Sequence, residues 1–165
     1  MFIKFFTTGG TIDKIYFDAK SEYQVGSPQV IEMLEQAHVS FDYEVVPILK
    51  KDSLELTDDD RELIRKAIEV DTHERIVITH GTDTMTETAK RLQGIVGKTI
   101  VLTGALEPAI SKYTDATFNI GAAVAAVQCL PNGIYITMNG RVFPAMQVRK
   151  NRALRRFEEI QPPNE

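Results

Sequence analysis

The run Arg75-Ile76-Val77-Ile78-Thr79-His80-Gly81-Thr82-Asp83-Thr84 decides how this chain folds. Arg75 to Thr79 is a short, nearly continuous apolar run, suited to a central strand buried on both faces. A polar turn containing glycine follows at once. Met85, Ala89 and Leu92 then recur at helical spacing, up to Gly94 and Gly97. Strand, turn and helix in that order form the repeating unit of a parallel sheet covered by helices.

The same rhythm extends in both directions. Phe2 to Thr7 reads as a first strand ending at Gly9-Gly10, and Tyr43 to Ile48 as another, with Pro47 marking an edge position or the strand's end. Thr99 to Leu102 and Gly133 to Met138 supply two more. Ser27-Pro28 reads as a helix start, with Val30, Ile31, Leu34 and Ala37 forming one apolar face. Thr57 reads as a cap for Asp58-Asp59-Asp60, where the helix dipole favours carboxylates, ahead of a stripe of Leu63, Ile64, Ala67 and Ile68. Ala116 to Cys129 is the last helix. Lys14 to Gly26 alternates Ile15, Phe17, Tyr23 and Val25 around Asp18-Ala19-Lys20-Ser21, the pattern of a hairpin or flap. From Ala145 the chain is basic, then proline-rich at Pro162-Pro163. The expected fold is a single three-layer α/β domain over residues 1–165. Its sheet is mostly parallel and doubly wound, Rossmann- or flavodoxin-like, with a β-hairpin flap near the N-terminus.

Composition narrows the function. The chain has 165 residues, 43% hydrophobic and 25% charged, which fits one domain able to bury roughly 70% of its unfolded surface without a disulfide or metal. Cys129 is the only cysteine, so no intramolecular disulfide can form, and a reducing cytoplasm is the expected compartment. In an alanine-rich helix with no basic neighbour, its thiol reads as buried and inert. His38, His73 and His80 lack metal-ligand spacing, so no metal is expected. A net charge of −4 disfavours nucleic acid, which needs a surplus of Lys and Arg. No apolar run approaches the roughly 20 residues that span a bilayer, and Met1 to Phe6 reads as a strand rather than a secretory signal. A small-molecule substrate is the expected partner.

In an open parallel sheet, ligands bind at the carboxyl ends of the strands. Thr7-Thr8-Gly9-Gly10-Thr11, His80 to Thr84, and Thr103-Gly104-Ala105 all fall there. Glycines at such turns let a substrate approach the backbone, whose N–H groups can stabilise an oxyanion. For any one turn, Thr and Gly serving as caps and turn residues is the simpler account. Three coinciding turns favour a site. Neither G-x-G-x-x-G nor G-x-x-x-x-G-K-[ST] occurs at the first turn, which disfavours a nucleotide.

Thr8-Gly9-Gly10-Thr11-Ile12, followed by His80-Gly81-Thr82-Asp83-Thr84-Met85 in that order and each after a strand, resembles the bacterial-type L-asparaginase family. Tyr23-Gln24-Val25-Gly26 is similar to that family's flap tyrosine segment, Asp52-Ser53 to its substrate-binding serine loop, and Gly104-Ala105-Leu106 to a turn after a core strand. Met138-Asn139-Gly140 through Lys150 resembles the stretch ending in its catalytic lysine. The resemblance implies an amidohydrolase that converts L-asparagine to L-aspartate and ammonia without a cofactor, glutamine being a second candidate substrate. It implies Thr11 as nucleophile, approached by Tyr23, with Thr82, Asp83 and Lys150 as a second polar group. A lysine taken out of water can accept a proton, and a neighbouring carboxylate fixes its position. Thr82 stays open as proton relay, activator of water or competing nucleophile. Ser53 and Asp83 would hold the α-carboxylate and ammonium. Gly10, Gly81 and Ala105 would line the substrate, and the N–H groups of Thr11 or Thr82 and the turn near Ala105 are oxyanion candidates. His80, at the end of a buried strand, reads as structural. Arg149, Arg152, Arg155 and Arg156 read as a solvated face or an interface.

Most members of that family carry a second domain that contributes an acidic residue to a neighbouring subunit's site. A homo-oligomer, dimer or tetramer, is therefore expected to supply the missing carboxylate, with Glu22 on the flap as a candidate in cis. Leu54 beside Ser53, and Glu107-Pro108 after Leu106, depart from the family's pattern. Two other readings follow from the same residues: an idle amino-acid-binding sensor, and an amidase acting on misacylated transfer RNA, which the acidic balance disfavours.

Overall fold

A computed structural model describes residues 1–17 and 22–160. Chain order runs β1 (Phe2–Gly9), a hairpin of β2 (Lys14–Phe17) and β3 (Glu22–Val25), α1 (Val30–Gln36), β4 (Asp42–Lys51) and α2 (Asp58–Val70). It continues with β5 (Arg75–Thr79), α3 (Met85–Arg91), β6 (Thr99–Thr103), α4 (Ala116–Cys129), β7 (Gly133–Met138), β8 (Arg141–Pro144), β9 (Val148–Asn151) and β10 (Arg156–Glu159). The main sheet is ordered β4-β1-β5-β6-β7-β8, parallel from β4 to β7 and antiparallel at β8. After β4 the chain steps back across β1 to reach β5. That reversal makes the β1/β5 junction the topological switch point, where the ends of α/β strands open a crevice.

The expected three layers are present, and their cause is visible in β5. Ile76 and Ile78 face one side, packing with Ile64 and Ile68 of α2 and Met85 and Ala89 of α3. Val77 faces the other, packing with Val30 and Leu34 of α1 and Ile120 and Ala123 of α4. Side chains alternate across a strand, so a run apolar at every position must be covered on both faces. Pro47 lies in β4, which forms the sheet's edge and continues to Lys51, so the proline marks an edge and not an end. Thr57 and Asp60 form a reciprocal capping box at the start of α2.

Several local expectations are corrected. Helix α1 starts at Val30, and its face is Val30, Met33 and Leu34; Ile31 is exposed because it sits off that stripe, and Ala37 is exposed because the helix ends at Gln36 and leaves it at the C-cap. The α1 N-terminus is held not by Ser27 but by Asp13, whose Oδ1 accepts from the Gln29 N–H at 2.8 Å. Burial pushes the Asp13 carboxyl up to about 6, partly offset by that hydrogen bond. Leu63 is half exposed, whereas Arg61 is buried, donating to the Leu56 carbonyl at 3.1 Å and to Glu87 at 3.0 Å. Cys129 is exposed, because Ala123, Ala126 and Val127 take the sheet-facing positions of α4.

The segment beyond Ala145, read as a basic tail carrying Lys150 and given no strands, contains the antiparallel pair β9 and β10. Val148 and Phe157 point into the core, while Arg149 pairs with Glu158 at 2.9 Å across the outer face. The flap tip Asp18 to Ser21 and the Pro162-Pro163 pair lie outside the described residues. Among the described residues, no helix is long and apolar enough to cross a membrane.

Candidate active site

Thr7 of β1 lies opposite Thr79 of β5, so the loops that follow leave the sheet side by side. The Thr8 hydroxyl donates to the Thr79 carbonyl at 3.0 Å and ties the two ends together. Gly10 has φ of +85°, and a Cβ there would sit 2.5 Å from the Cα and N of Gly81. Only glycine meets both demands. Gly104, after β6, presses equally closely on the carbonyl of His80. Two glycine contacts thus gather the three strand-end turns.

They border a cavity of about 290 Å³ lined by Thr11, Thr82, Asp83, Leu106, Lys150, Arg152 and Arg155. Lys150 reaches it from β9. Its Nζ donates to the Thr82 Oγ1 at 2.6 Å and to the Asp83 Oδ1 at 3.0 Å. The ammonium is largely shielded from water, so its two partners are strong, charge-assisted ones. The Thr11 hydroxyl has no hydrogen-bond partner among the described residues and stands on the same cavity. One free hydroxyl and one lysine-bound hydroxyl therefore share a space large enough for a small amide.

The other expected site residues are distributed differently. Ser53 is buried against Gly81, where an added Cβ would lie 2.6 Å from the Ser53 Oγ, and its carbonyl accepts from the Thr84 hydroxyl at 2.7 Å. It supports the loop carrying Thr82 rather than lining the cavity. Tyr23 is exposed on the hairpin, in an edge contact with Tyr16 at 5.5 Å between centroids, and is not among the residues that line the cavity with Thr11. Glu22 is likewise exposed and accepts from Gln24. Ala105 is buried in the core beneath the turn. The N–H groups of Leu106 and Glu107 donate to Asp115 at 2.9 and 3.1 Å, which takes them out of play as oxyanion donors.

His80 is buried, and both ring nitrogens are engaged. A carbonyl can only accept, so Nδ1 donates to Gly81 O at 2.7 Å and Nε2 accepts from the Thr88 hydroxyl at 2.7 Å. Burial drives its pKa down to about 4. It is not a wall of the cavity. No group of three or more His, Cys, Asp or Glu able to hold a metal occurs among the described residues.

The family described as "Asparaginase, N-terminal" matches residues 2–164. The chain belongs to the asparaginase family. A probable periplasmic L-asparaginase from Haemophilus influenzae is 32% identical over 159 residues, covering 90% of this chain and 46% of that protein. A glutaminase-asparaginase from Acinetobacter glutaminasificans is 40% identical over 80 residues, covering 46% of this chain and 24% of its own. The thermostable L-asparaginase from Thermococcus kodakarensis superposes with a TM-score of 0.84 at 27% identity, covering 99% of this chain and 52% of that structure. The expected α/β fold with its hairpin is therefore that of the family's N-terminal domain, and the chain spans about half the length of these fuller relatives or less.

Sequence reasoning missed Asp115, Asn119, Arg152 and Arg155. Asp115 and Asn119 brace the β6–α4 turn, the Asn119 amide donating to Asp115 at 2.8 Å and to the Gly104 carbonyl at 2.9 Å. A polar pair on the first turn of an otherwise alanine-rich helix was the available signal. The arginines carried only a charge run, which does not show which members border the cavity.

Proposed function

We propose that this domain hydrolyses the side-chain amide of L-asparagine to L-aspartate and ammonia, with Thr11 as the nucleophile. The observation that carries the reading is the Lys150 contact to Thr82 and Asp83 on the cavity that Thr11 also lines. The Thr11 Oγ bonds to the amide carbon, and its proton passes through the polar cluster to the departing nitrogen. The carbon–nitrogen bond breaks, and ammonia leaves. Water then cleaves the Thr11 ester, returning the hydroxyl and releasing the carboxylate, so the cycle balances without a cofactor. Thr82 acts as the relay held by Lys150, and Asp83 orients Lys150. The N–H groups of Thr11 and Thr82 remain as oxyanion donors once those after Ala105 are committed to Asp115.

We also propose a cytoplasmic location, which the single cysteine, Cys129, fits, and a homo-oligomer that completes the site. The proposal is tested by ammonia release from L-asparagine and L-glutamine across a range of protein concentrations. Thr11→Ala and Thr82→Ala are expected to fall to background. Lys150→Met is expected to lose about 10²- to 10⁴-fold in kcat, the usual worth of acid–base assistance. Full turnover by Thr11→Ala, or none by folded wild-type protein at saturating amide, would overturn the reading.

A further inference from the structure

The Thr11 hydroxyl takes no hydrogen bond among the described residues, so its place depends on the backbone of the short turn Thr11–Asp13. The segment that follows β4 holds that turn at both ends. Before it, the Gly10 N–H donates to the Lys51 carbonyl at 2.9 Å. After it, Lys14 Nζ lies 2.7 Å from Asp52 Oδ2. Ile12 accepts from the Ala109 N–H and Asp13 from that of Gln29, contacts that lead to other elements. Beyond Gly10, Lys14 makes the only ion pair or hydrogen bond that joins this stretch to residues 51–53 among the described residues.

The same segment braces the second threonine. Asp52 Oδ1 accepts from the Leu54 N–H at 3.2 Å and caps the turn Ser53–Glu55. Ser53 packs against Gly81, and its carbonyl accepts from the Thr84 hydroxyl at 2.7 Å. Residues 51–53 therefore stand between the two loops, with Thr11 on one flank and Thr82 on the other. Partial burial works to raise the Asp52 carboxyl. The Lys14 ammonium and the Leu54 N–H outweigh it, the charge of Lys150 adds to them, and the carboxyl is held below the usual carboxylate range. Asp52 is thus ionised at neutral pH. Neither Lys14 nor Asp52 lines the cavity.

We infer that Lys14 and Asp52 are positioning residues, whose ion pair sets the place of the Thr11 hydroxyl relative to Thr82 and Lys150. The inference rests on the amidase reading, in which Thr11 attacks an amide carbon while Thr82 relays the proton. That geometry tolerates little drift. Removing the clasp leaves Thr11 chemically intact on a turn pinned to the brace at one end only.

The test compares Lys14→Met, Lys14→Arg, Asp52→Asn and the double variant Lys14→Met/Asp52→Asn. Asp52→Asn keeps an oxygen for the Leu54 N–H and removes only the charge. Hydrogen exchange is read at the Gly10 and Asp13 amides, and ammonia release from L-asparagine gives kcat and KM. The two side chains are 28% and 27% exposed, and a pair this open biases an equilibrium between placements by about two- to fivefold. Lys14→Met should therefore speed exchange at both amides by about that factor and leave the β5 amides unchanged. Its kcat should fall by the same factor at constant KM. Lys14→Arg should restore both readouts, and the double variant should be no worse than either single one. Unchanged exchange in Lys14→Met, a rise shared equally by β5, or additive losses in the double variant overturns the inference. So does a loss confined to KM, which would make Asp52 a substrate contact. Faster exchange with the expected rescue, but no ammonia from wild-type protein, supports the clasp and overturns the amidase reading alone.

Discussion

Two buried titratable residues, Asp13 and His80, oppose each other in their response to pH. The Asp13 carboxyl rises from 3.8 to about 6 on folding, so its contribution is present at low pH and is lost as pH rises through 6. His80 falls from 6.5 to about 4, so its contribution is present at neutral pH and is lost as pH falls towards 4. The windows overlap and the slopes have opposite signs. Asp13→Asn removes one of them, so urea unfolding from pH 4 to 6.5 is expected to show the variant gaining stability with pH more steeply than the wild type. Parallel curves would show that Asp13 does not titrate in that range. At this scale, a residue's type was readable from sequence, but its environment was not. Cys129 looked buried by its alanine neighbours, and its exposure depends on which face α4 turns to the sheet.

Among the elements, α2 shows how far local sequence reaches. Thr57 accepts from the Asp60 N–H at 3.2 Å, and Asp60 accepts from the Thr57 N–H at 2.9 Å. Lys51, at the end of β4, donates to the same carboxylate at 2.9 Å and joins the cap to the sheet. Thr57→Ala is expected to cost about 1 kcal/mol in denaturant unfolding, the usual loss of an N-cap side chain. The helix's burial pattern was less legible. Arg61 lies inside with its two terminal nitrogens donating to the Leu56 carbonyl and to Glu87, partners that belong to other segments, while its Nε has no partner among the described residues. Helix α1 shows the same limit, since its cap, Asp13, lies 16 residues earlier.

For the molecule as a whole, the site depends on a segment that a strand-turn-helix reading leaves out. Lys150 stands on β9, and β9 is anchored through its pairing with β10 and the insertion of Val148 and Phe157 into the core. Phe157→Ala is expected to cost about 3 to 5 kcal/mol in denaturant unfolding. It should also loosen the hairpin that carries Lys150, Arg152 and Arg155, so hydrogen exchange at the β9 amides should rise more than at those of β5. Equal protection in both strands would show that the hairpin is held by other means.

The sequence by itself determined the succession of strands and helices as far as Met138, the parallel sheet and the three strand-end turns, because each rests on periodicity or on residues adjacent in the chain. It also determined the two threonine motifs, whose glycines are demanded by backbone contacts wherever the loops meet. Tertiary structure alone decided which groups share the cavity. Lys150 reaches Thr82 across 68 positions, Leu106 and two arginines line the space, and Ser53 and Ala105 stand behind it. Such neighbours are set by how layers pack and which way a turn points its side chains. Those are properties of the assembled core, and no local pattern encodes them.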